Sequence, residues 1–335
     1  MESRLGREEG GKTVLIITRS DDNSAPARVA AAVEARGVRA YRLDSDLFPT
    51  EIRVSLIEEP GAATSGWIVG PAGELAIEEI SAVYYRRFNV GAAIPRDLDR
   101  QLRAPSVEES RRVLLGLMSA ASAAGAFCLD RLDVVRRAES KPLQLALARQ
   151  VGLDVPRTLV SNDPAAVRRF AAGFPGGIVT KMMASFAVYD EAGRENVVFT
   201  NPVRGEDLED LDGLALCPMT FQERLEKALE LRVTVVGERV MAASIDSQAL
   251  PRARVDWRRE GAALCDAWRP YELPGAVQAG ALALMDGLGL NYGAFDFIVT
   301  PEGRHVFLEV NPCGEFMWLI ERPGLPIDAA LADVL

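Results

Sequence analysis

Apolar and polar positions change rhythm along the chain, and each rhythm predicts its own kind of layer. Thr13–Thr18 is a short continuous apolar run, the pattern of a strand covered on both faces. Ser24 is read as the cap of a helix over residues 25–36, which Gly37 stops. Strands are predicted at residues 38–43, 52–57, 67–69 and 82–86, then a long helix from about residue 97 to 124. Strands alternating with helices make residues 1–128 a small open α/β domain.

The texture changes near residues 128–136. Ser140 and Pro142 start a helix that continues over 143–151 and ends at Gly152. A strand at 155–160 follows, Asn162-Asp163-Pro164 opens another helix, and Gly176-Gly177 leads into the strand Ile178–Lys181. A β-rich stretch runs to about Arg224, with a hairpin turning at Glu191-Ala-Gly193. Two more hairpins fill the last third. One pairs residues 231–236 with Arg239–Ile245 about Gly237-Glu238; the other pairs 293–300 with 304–310 about Pro301-Glu-Gly303. An amphipathic helix, 275–287, lies between them. With no repeat or low-complexity linker, three packed units are expected: 1–128, 129–220 and 221–335, α/β overall and α+β in the C-terminal part.

Composition removes several classes of function. The 335 residues are 48% hydrophobic and 26% charged, an ordinary globular profile. No apolar run reaches the roughly 18 to 20 residues that span a bilayer, and the polar start MESRLGREEGGK is not a signal peptide, so a cytoplasmic location is expected. The 38 basic and 48 acidic residues leave a net charge of -10, without the clustered positive charge that grips nucleic acid. Cys128, Cys217, Cys265 and Cys313 are far apart with no C-x-x-C pair, against a zinc ribbon or disulfide framework; they read as buried free thiols. The single histidine, His305, sits in a strand pattern without the constellation that Ser-His-Asp and H-E-x-x-H sites need, which argues against that chemistry. Carboxylates, lysines and arginines must carry any catalysis.

One motif is rejected. Residues 6–13 fit G-x-x-x-x-G-K-[ST], but a phosphate loop needs a strand before it and a helix after it, whose amides face the phosphates. Only five residues precede this match, a strand follows it, and two glutamates sit inside it.

The last hairpin is different. If Thr300 pairs with Gly303 at its turn, Asp296 lies opposite Phe307, and Glu309 and Asn311 follow on the same face. Diagonal neighbours of this kind are about 7–8 Å apart at Cα, close enough to share an ion. Two carboxylates and an amide oxygen are hard ligands suited to Mg²⁺ held together with substrate phosphates. The alternative is a hairpin with one solvated face. Phe295, Phe297, Val306 and Leu308 make the hairpin apolar on both faces, so it reads as buried, and buried carboxylates call for a cation.

This segment resembles the Mg²⁺-binding end of the ATP-grasp ligases, where an Asp, a Glu and an Asn in an E-x-N-P context hold two ions. The resemblance implies a metal role for Asp296, Glu309 and Asn311 and extends over about residues 130 to 320. By the same resemblance Lys141 and Lys181 contact the nucleotide phosphates. Phe221-Gln-Glu-Arg-Leu225 is similar to the hinge that lines adenine, through Gln222, Glu223 and Leu225, while Glu230 contacts ribose and Arg232 serves the reacting centre. Within that superfamily the chain is most similar to the microviridin and graspetide peptide macrocyclases, on Tyr84-Tyr-Arg-Arg87, Ser244-Ile-Asp-Ser-Gln248, Asp256-Trp-Arg258 and Ile178-Val-Thr-Lys-Met-Met-Ala. One departure is the loop Met182-Met-Ala-Ser-Phe186, which lacks the glycines many ATP-grasp enzymes carry there.

What this resemblance implies is an ATP-grasp fold with an N-terminal open α/β domain, a central domain and a C-terminal nucleotide and metal domain. It implies use of ATP and Mg²⁺ to activate Asp or Glu side chains of a ribosomal precursor peptide as acyl phosphates. Arg232 and Arg258 would stabilise the developing charge, and a Ser/Thr hydroxyl or Lys amine of the same peptide would close an ester or amide ring. The hairpin of residues 189–198, with Tyr189, Asp190, Glu191 and Asn196, is the candidate leader-peptide site. Arg86 and Arg87 either bind the acidic core peptide or pair with local carboxylates. A homodimer is implied as well. Two alternatives stand beside this reading: an ATP-grasp ligase for a small molecule or amino acid, and a catalytically silent nucleotide-binding regulator, against which the intact Lys181, Asp296, Glu309 and Asn311 count.

Overall fold

The computed structural model describes residues 12–183, 187–189, 195–197, 199–249, 251, 253–260 and 265–335. The glycine-rich match at residues 6–11 lies outside them, and a strand does begin at Thr13. That strand is central in a parallel four-stranded sheet, ordered Arg39–Asp44, Thr13–Thr18, Ile80–Tyr85, Phe127–Leu129. Its alternation feeds two cores. Val14 and Ile16 pack with Val29 and Val33 of the helix Ala25–Glu34, while Leu15 and Ile17 meet Leu114, Leu117 and Met118 of the helix Arg100–Ala123. The first helix is not capped by Ser24, whose backbone is already helical; Asn23 Oδ1 accepts the Ala25 N–H instead, at 2.9 Å. A small antiparallel sheet, Arg53–Ile57, Ser65–Gly70 and Gly73–Ala76, adds Ile68 and Leu75 to the second core.

Two helices, Leu132–Ala138 and Lys141–Gln150, lead to an antiparallel sheet ordered Asn201–Pro202, Ile178–Lys181, Met219–Glu223, Thr158–Ser161. The strand expected from residue 155 starts only at Thr158. Pro156 has no N–H to donate, and Asp154 instead bridges to the far hairpin, its carbonyl accepting Phe307 N at 2.8 Å. Asp163 caps the next helix, Pro164–Ala172, by accepting Ala165 N at 2.8 Å.

The largest sheet has five antiparallel strands, ordered Arg269–Pro270, Arg239–Ile245, Leu229–Val236, Tyr292–Val299, His305–Asn311. One face buries Leu231, Val233, Phe295, Phe297, Phe307 and Val310 against the helices Gly275–Leu288 and Lys141–Gln150. The other face divides. Toward one end, Val236, Ala243, Tyr292 and Ala294 join Val14, Ile16 and Phe316 in a core shared with the N-terminal sheet. The C-terminal helix Ile327–Val334 packs on both units, with Arg28 reaching Asp328 at 3.1 Å and Arg36 and Arg239 both reaching Asp333. Toward the other end this face opens into a cavity. Among the described residues, no helix is long and apolar enough to cross a membrane. Cys217 is exposed, against the expectation of buried thiols, because it sits in the loop after a single 3-10 turn rather than on a packed element.

Candidate active site

The cavity is about 990 Å³, and its chemistry begins with one rung across the large sheet. Ala243, Arg232, Asp296 and Glu309 stand opposite one another on four successive strands. Arg232 Nη1 donates to both oxygens of Asp296, at 2.9 and 3.0 Å. The next rung is Thr234, Ala294 and Asn311. Asn311 Nδ2 reaches Asp296 at 3.3 Å and Glu309 at 3.4 Å.

The register that builds this rung corrects the sequence expectation. Asp296 does not face Phe307. The turn is one residue longer than expected, so Val299 pairs with His305 and Phe297 with Phe307, both phenylalanines entering the core. A bulge then inserts one residue at Leu308, and Glu309 pairs with Asp296. Without that bulge Glu309 would continue on the face of Phe307, in the core. A bulge is a recognised device for re-aiming a side chain, and here it returns Glu309 and Asn311 to the cavity.

Lys141 approaches from the start of its helix, its ammonium 3.1 Å from Glu309 and 3.4 Å from Asn311 Oδ1. Three residues on, the buried Gln144 fixes that helix to the edge strand. Its Nε2 donates to Val310 O at 2.8 Å, and its Oε1 accepts Val310 N at 3.0 Å. Burial pushes the Glu309 carboxyl up, but the Lys141 and Lys181 charges outweigh it and hold it well below the usual carboxylate range. Burial pushes the Lys181 ammonium down, with Glu309 opposing. Glu230, one rung along from Arg232, is paired with Lys227 at 3.1 Å, and Lys227 also donates to Val255 O at 2.8 Å. Gln222 Nε2 is tied to Thr158 Oγ1 at 2.9 Å, and Glu223 accepts Arg157 N at 2.9 Å.

Arg258 is organised by Asp256, which is 4% exposed. Asp256 accepts both Nε and Nη2 of Arg258, with Nε at 2.8 Å, and also the backbone N–H of Thr200 at 3.2 Å. The Phe199 ring lies 5.8 Å from the Arg258 guanidinium and 5.2 Å from that of Arg259. Trp257 and Trp318 form the adjoining wall, with Arg232 5.6 Å over the Trp318 ring.

All eleven side chains expected to bind nucleotide, bind metal or act in catalysis line this one cavity: Lys141, Lys181, Gln222, Glu223, Leu225, Glu230, Arg232, Arg258, Asp296, Glu309 and Asn311. Arg87 lines it too. Arg86 does not: its side chain is 1% exposed, and its donors go to Asp22, Asn23 and Glu315, the local pairing that was the alternative for it. Of the candidate leader hairpin, Ala187–Tyr189 pairs antiparallel with Glu195–Val197, placing Asn196 opposite Val188. Asp190 and Glu191 lie outside the described residues, as do residues 184–186 of the loop after Lys181. Sequence reading missed Gln144, Lys227, Trp318, Asp22 and Glu315; of these Lys227, three residues before its partner Glu230, stood close enough in the chain to signal its role.

The donor set fits magnesium. Asp296 and Glu309 sit on one rung with side chains 26% and 21% exposed toward the cavity, next to an amide oxygen. Among the described residues no group of three His, Cys, Asp or Glu side chains encloses a metal. Two carboxylates and an amide oxygen would leave the rest of a hard cation's shell to phosphate oxygens and water.

Comparison with known proteins gives a consistent set. The model of the MvdD pre-ATP grasp domain matches residues 13–136. Macrocyclase MdnC of Microcystis aeruginosa MRC, solved with precursor peptide MdnA, is 45% identical, with 96% of this chain and 99% of that chain covered and a TM-score of 0.87. A Chryseobacterium gregarium RiPP-associated ATP-grasp ligase, solved with ADP and a leader and core peptide, is 38% identical over 97% of this chain and 96% of that one, at a TM-score of 0.90. ATP-grasp ligase PsnB, solved with a variant of its minimal precursor, Mg and ADP, is 26% identical over 96% and 97% at 0.73. No match is found among curated proteins.

Proposed function

The chain belongs to the ATP-grasp ligases of the microviridin-macrocyclase family, and on that premise we propose that it is a peptide macrocyclase acting on an acidic ribosomal precursor. The observation that carries the proposal is the single cavity onto which the nucleotide, metal and arginine side chains all converge. We divide the chain into a pre-ATP-grasp unit, 1–128, a central unit, 129–220, and a C-terminal unit, 221–335.

Each group has a role that its surroundings support. Gln222, Glu223 and Leu225 receive the adenine and Glu230 the ribose, while Lys141 and Lys181 hold the phosphate tail. Asp296, Glu309 and Asn311 hold Mg²⁺, which when bound supplies charge neutralisation across the phosphates of ATP. A precursor Asp or Glu carboxylate attacks the γ-phosphorus, ADP leaves, and an acyl phosphate results. The oxygen of a Ser/Thr hydroxyl or the nitrogen of a Lys amine then attacks the acyl carbon; phosphate leaves, a proton is released, and the ring closes as an ester or amide. Arg232 and Arg258, each pre-oriented by a carboxylate, stabilise the negative charge of both steps. Phe199, Trp257 and Trp318 make the adjoining wall apolar, which limits hydrolysis of the acyl phosphate. Arg87, half-exposed on the cavity lining, meets the acidic core, and Tyr189, Asp190, Glu191 and Asn196 meet the leader. A cytoplasmic homodimer completes the proposal.

Incubation with Mg-ATP and a leader-plus-core peptide is expected to remove one water mass per ring, read by mass spectrometry with ADP release in step. ADP release with a free amino acid, and no mass loss with any acidic Thr- or Lys-bearing peptide, would favour a small-molecule ligase instead.

A further inference from the structure

We infer that Glu315, gripped by Arg86 of the N-terminal sheet, is a positioning residue for Arg232, so that the N-terminal unit sets the geometry of the reacting centre. This rests on the role proposed above for Arg232. That guanidinium has two anchors. One is Asp296. The other is the backbone carbonyl of Glu315, which accepts Nη2 at 3.0 Å.

A carbonyl orients a guanidinium only if it is itself held, and this one is held from several sides. The Glu315 carboxylate accepts the N–H groups of Phe316 and Met317, both at 3.0 Å. It also takes Arg86 Nη2, and Arg87 Nη2 at 3.2 Å. Arg86 is fixed in turn by Asp22, at 2.8 Å from Nε, and by the Phe316 ring 5.2 Å from its guanidinium. Gly314, the preceding residue, offers its carbonyl to the Tyr292 hydroxyl at 2.6 Å. A Cβ on Gly314 would stand 2.4 Å from Ala294 Cβ and 2.9 Å from Arg232 Nη2, so the turn closes on the guanidinium with no room to spare. Neither Asp22 nor Arg86 lines the cavity, so Arg86 reaches Arg232 through Glu315; Asp22, which also lies 4.0 Å from Arg87 Nε, reaches it through Arg86.

A double-mutant cycle on the full-length enzyme separates positioning from mere fastening. The probes are Mg-ATP and the MdnA precursor of the microviridin relative, with ADP release as the readout. Glu315→Gln keeps the side-chain size and weakens its hold on Arg86 and Arg87. The expected result is a fall in kcat of about 10- to 100-fold, the range for groups that orient a functional side chain. KM for ATP stays unchanged, and no further loss appears in an Arg232→Ala background. An equal loss in both backgrounds, or none in either, overturns the inference. Should Arg232→Ala alone leave kcat untouched, the role of Arg232 falls first and takes the inference with it. A crystal structure of the Glu315→Gln variant needs no peptide: an Arg232 guanidinium moved off the residue 315 carbonyl supports positioning, and one superposed on wild type overturns it.

Discussion

Two clusters of like composition lie within a few residues of each other in this molecule and do opposite things. Asp22, Arg86 and Glu315 form one; Arg232, Asp296, Glu309 and Lys141 form the other. In the first, Arg86 and Asp22 are 1% and 4% exposed, an aromatic ring covers the arginine, and a further donor goes to Glu315, which is 26% exposed and links this pair to the cavity wall. In the second, the carboxylates keep 26% and 21% of their side-chain surface, turned to a cavity. A closed cluster has met its desolvation cost with protein partners alone, so losing one of them is expensive. An open cluster still has lone pairs to offer. Burial of the Arg86–Asp22 pair, rather than residue type, separates a fastener from a binding site here.

The largest expected effect lies in the open cluster. Glu309→Ala or Asn311→Ala should lower turnover on the order of 10³-fold, the scale of losing one electrostatic contact to a developing charge, with the melting temperature nearly unchanged. Unchanged turnover would break the contrast at its first point. Arg86→Met should do the reverse, destabilising the fold by about 3–5 kcal/mol because Asp22 is left buried without its partner; chemical denaturation measures this.

The smallest effect expected is on acid stability. Burial raises the carboxyls of Asp22 and Glu315, but hydrogen bonds from Thr18 and Arg86 outweigh it at Asp22, and the Arg86 charge at Glu315; both end below their usual values. The unfolded chain therefore binds protons first as pH falls. The stability these groups supply is complete above about pH 4, near the unperturbed carboxylate values, and is lost as pH drops through the lower folded values. Asp130 works the other way: burial raises it against hydrogen bonds from Tyr292 and Asn291, so its protonation favours the folded state. Denaturant midpoints should fall as pH drops below about 4, and the opposing contribution of Asp130, felt just above about pH 4, should vanish in Asp130→Asn. A flat profile would show that the closed cluster does not hold its carboxylates as described.

The contrast also explains what the sequence disclosed. Strand rhythm located Thr13–Thr18, Ile178–Lys181 and Arg239–Ile245 to the residue, because alternation and apolar runs are local signals. The open cluster was legible too, since Asp296, Glu309 and Asn311 share one hairpin whose ligand chemistry is unusual among apolar neighbours. The closed cluster was not. Arg86 and Glu315 are 229 positions apart, and nothing local to either names the other. Gln144 lay hidden for a related reason: its partners are backbone atoms of Val310, which carry no residue identity. Ser24 was misassigned because Asn23, one residue earlier, reaches the same N–H.

The extra residue at Leu308 has a further consequence, for how this site can change by insertion and deletion. Facing along a strand is a matter of odd and even. Phe307 and Glu309 are two positions apart, yet one pairs with Phe297 in the core and the other with Asp296 at the cavity, because the bulge absorbs Leu308. Loss of Leu308 would make the strand regular and leave Glu309 opposite Asp296, whereas straightening the bulge with Leu308 kept would turn Glu309 and Asn311 into the phenylalanine layer. The length of the turn does not enter, since it lies ahead of both residues. What an alignment must preserve is therefore the pairing register between Phe307 and Glu309.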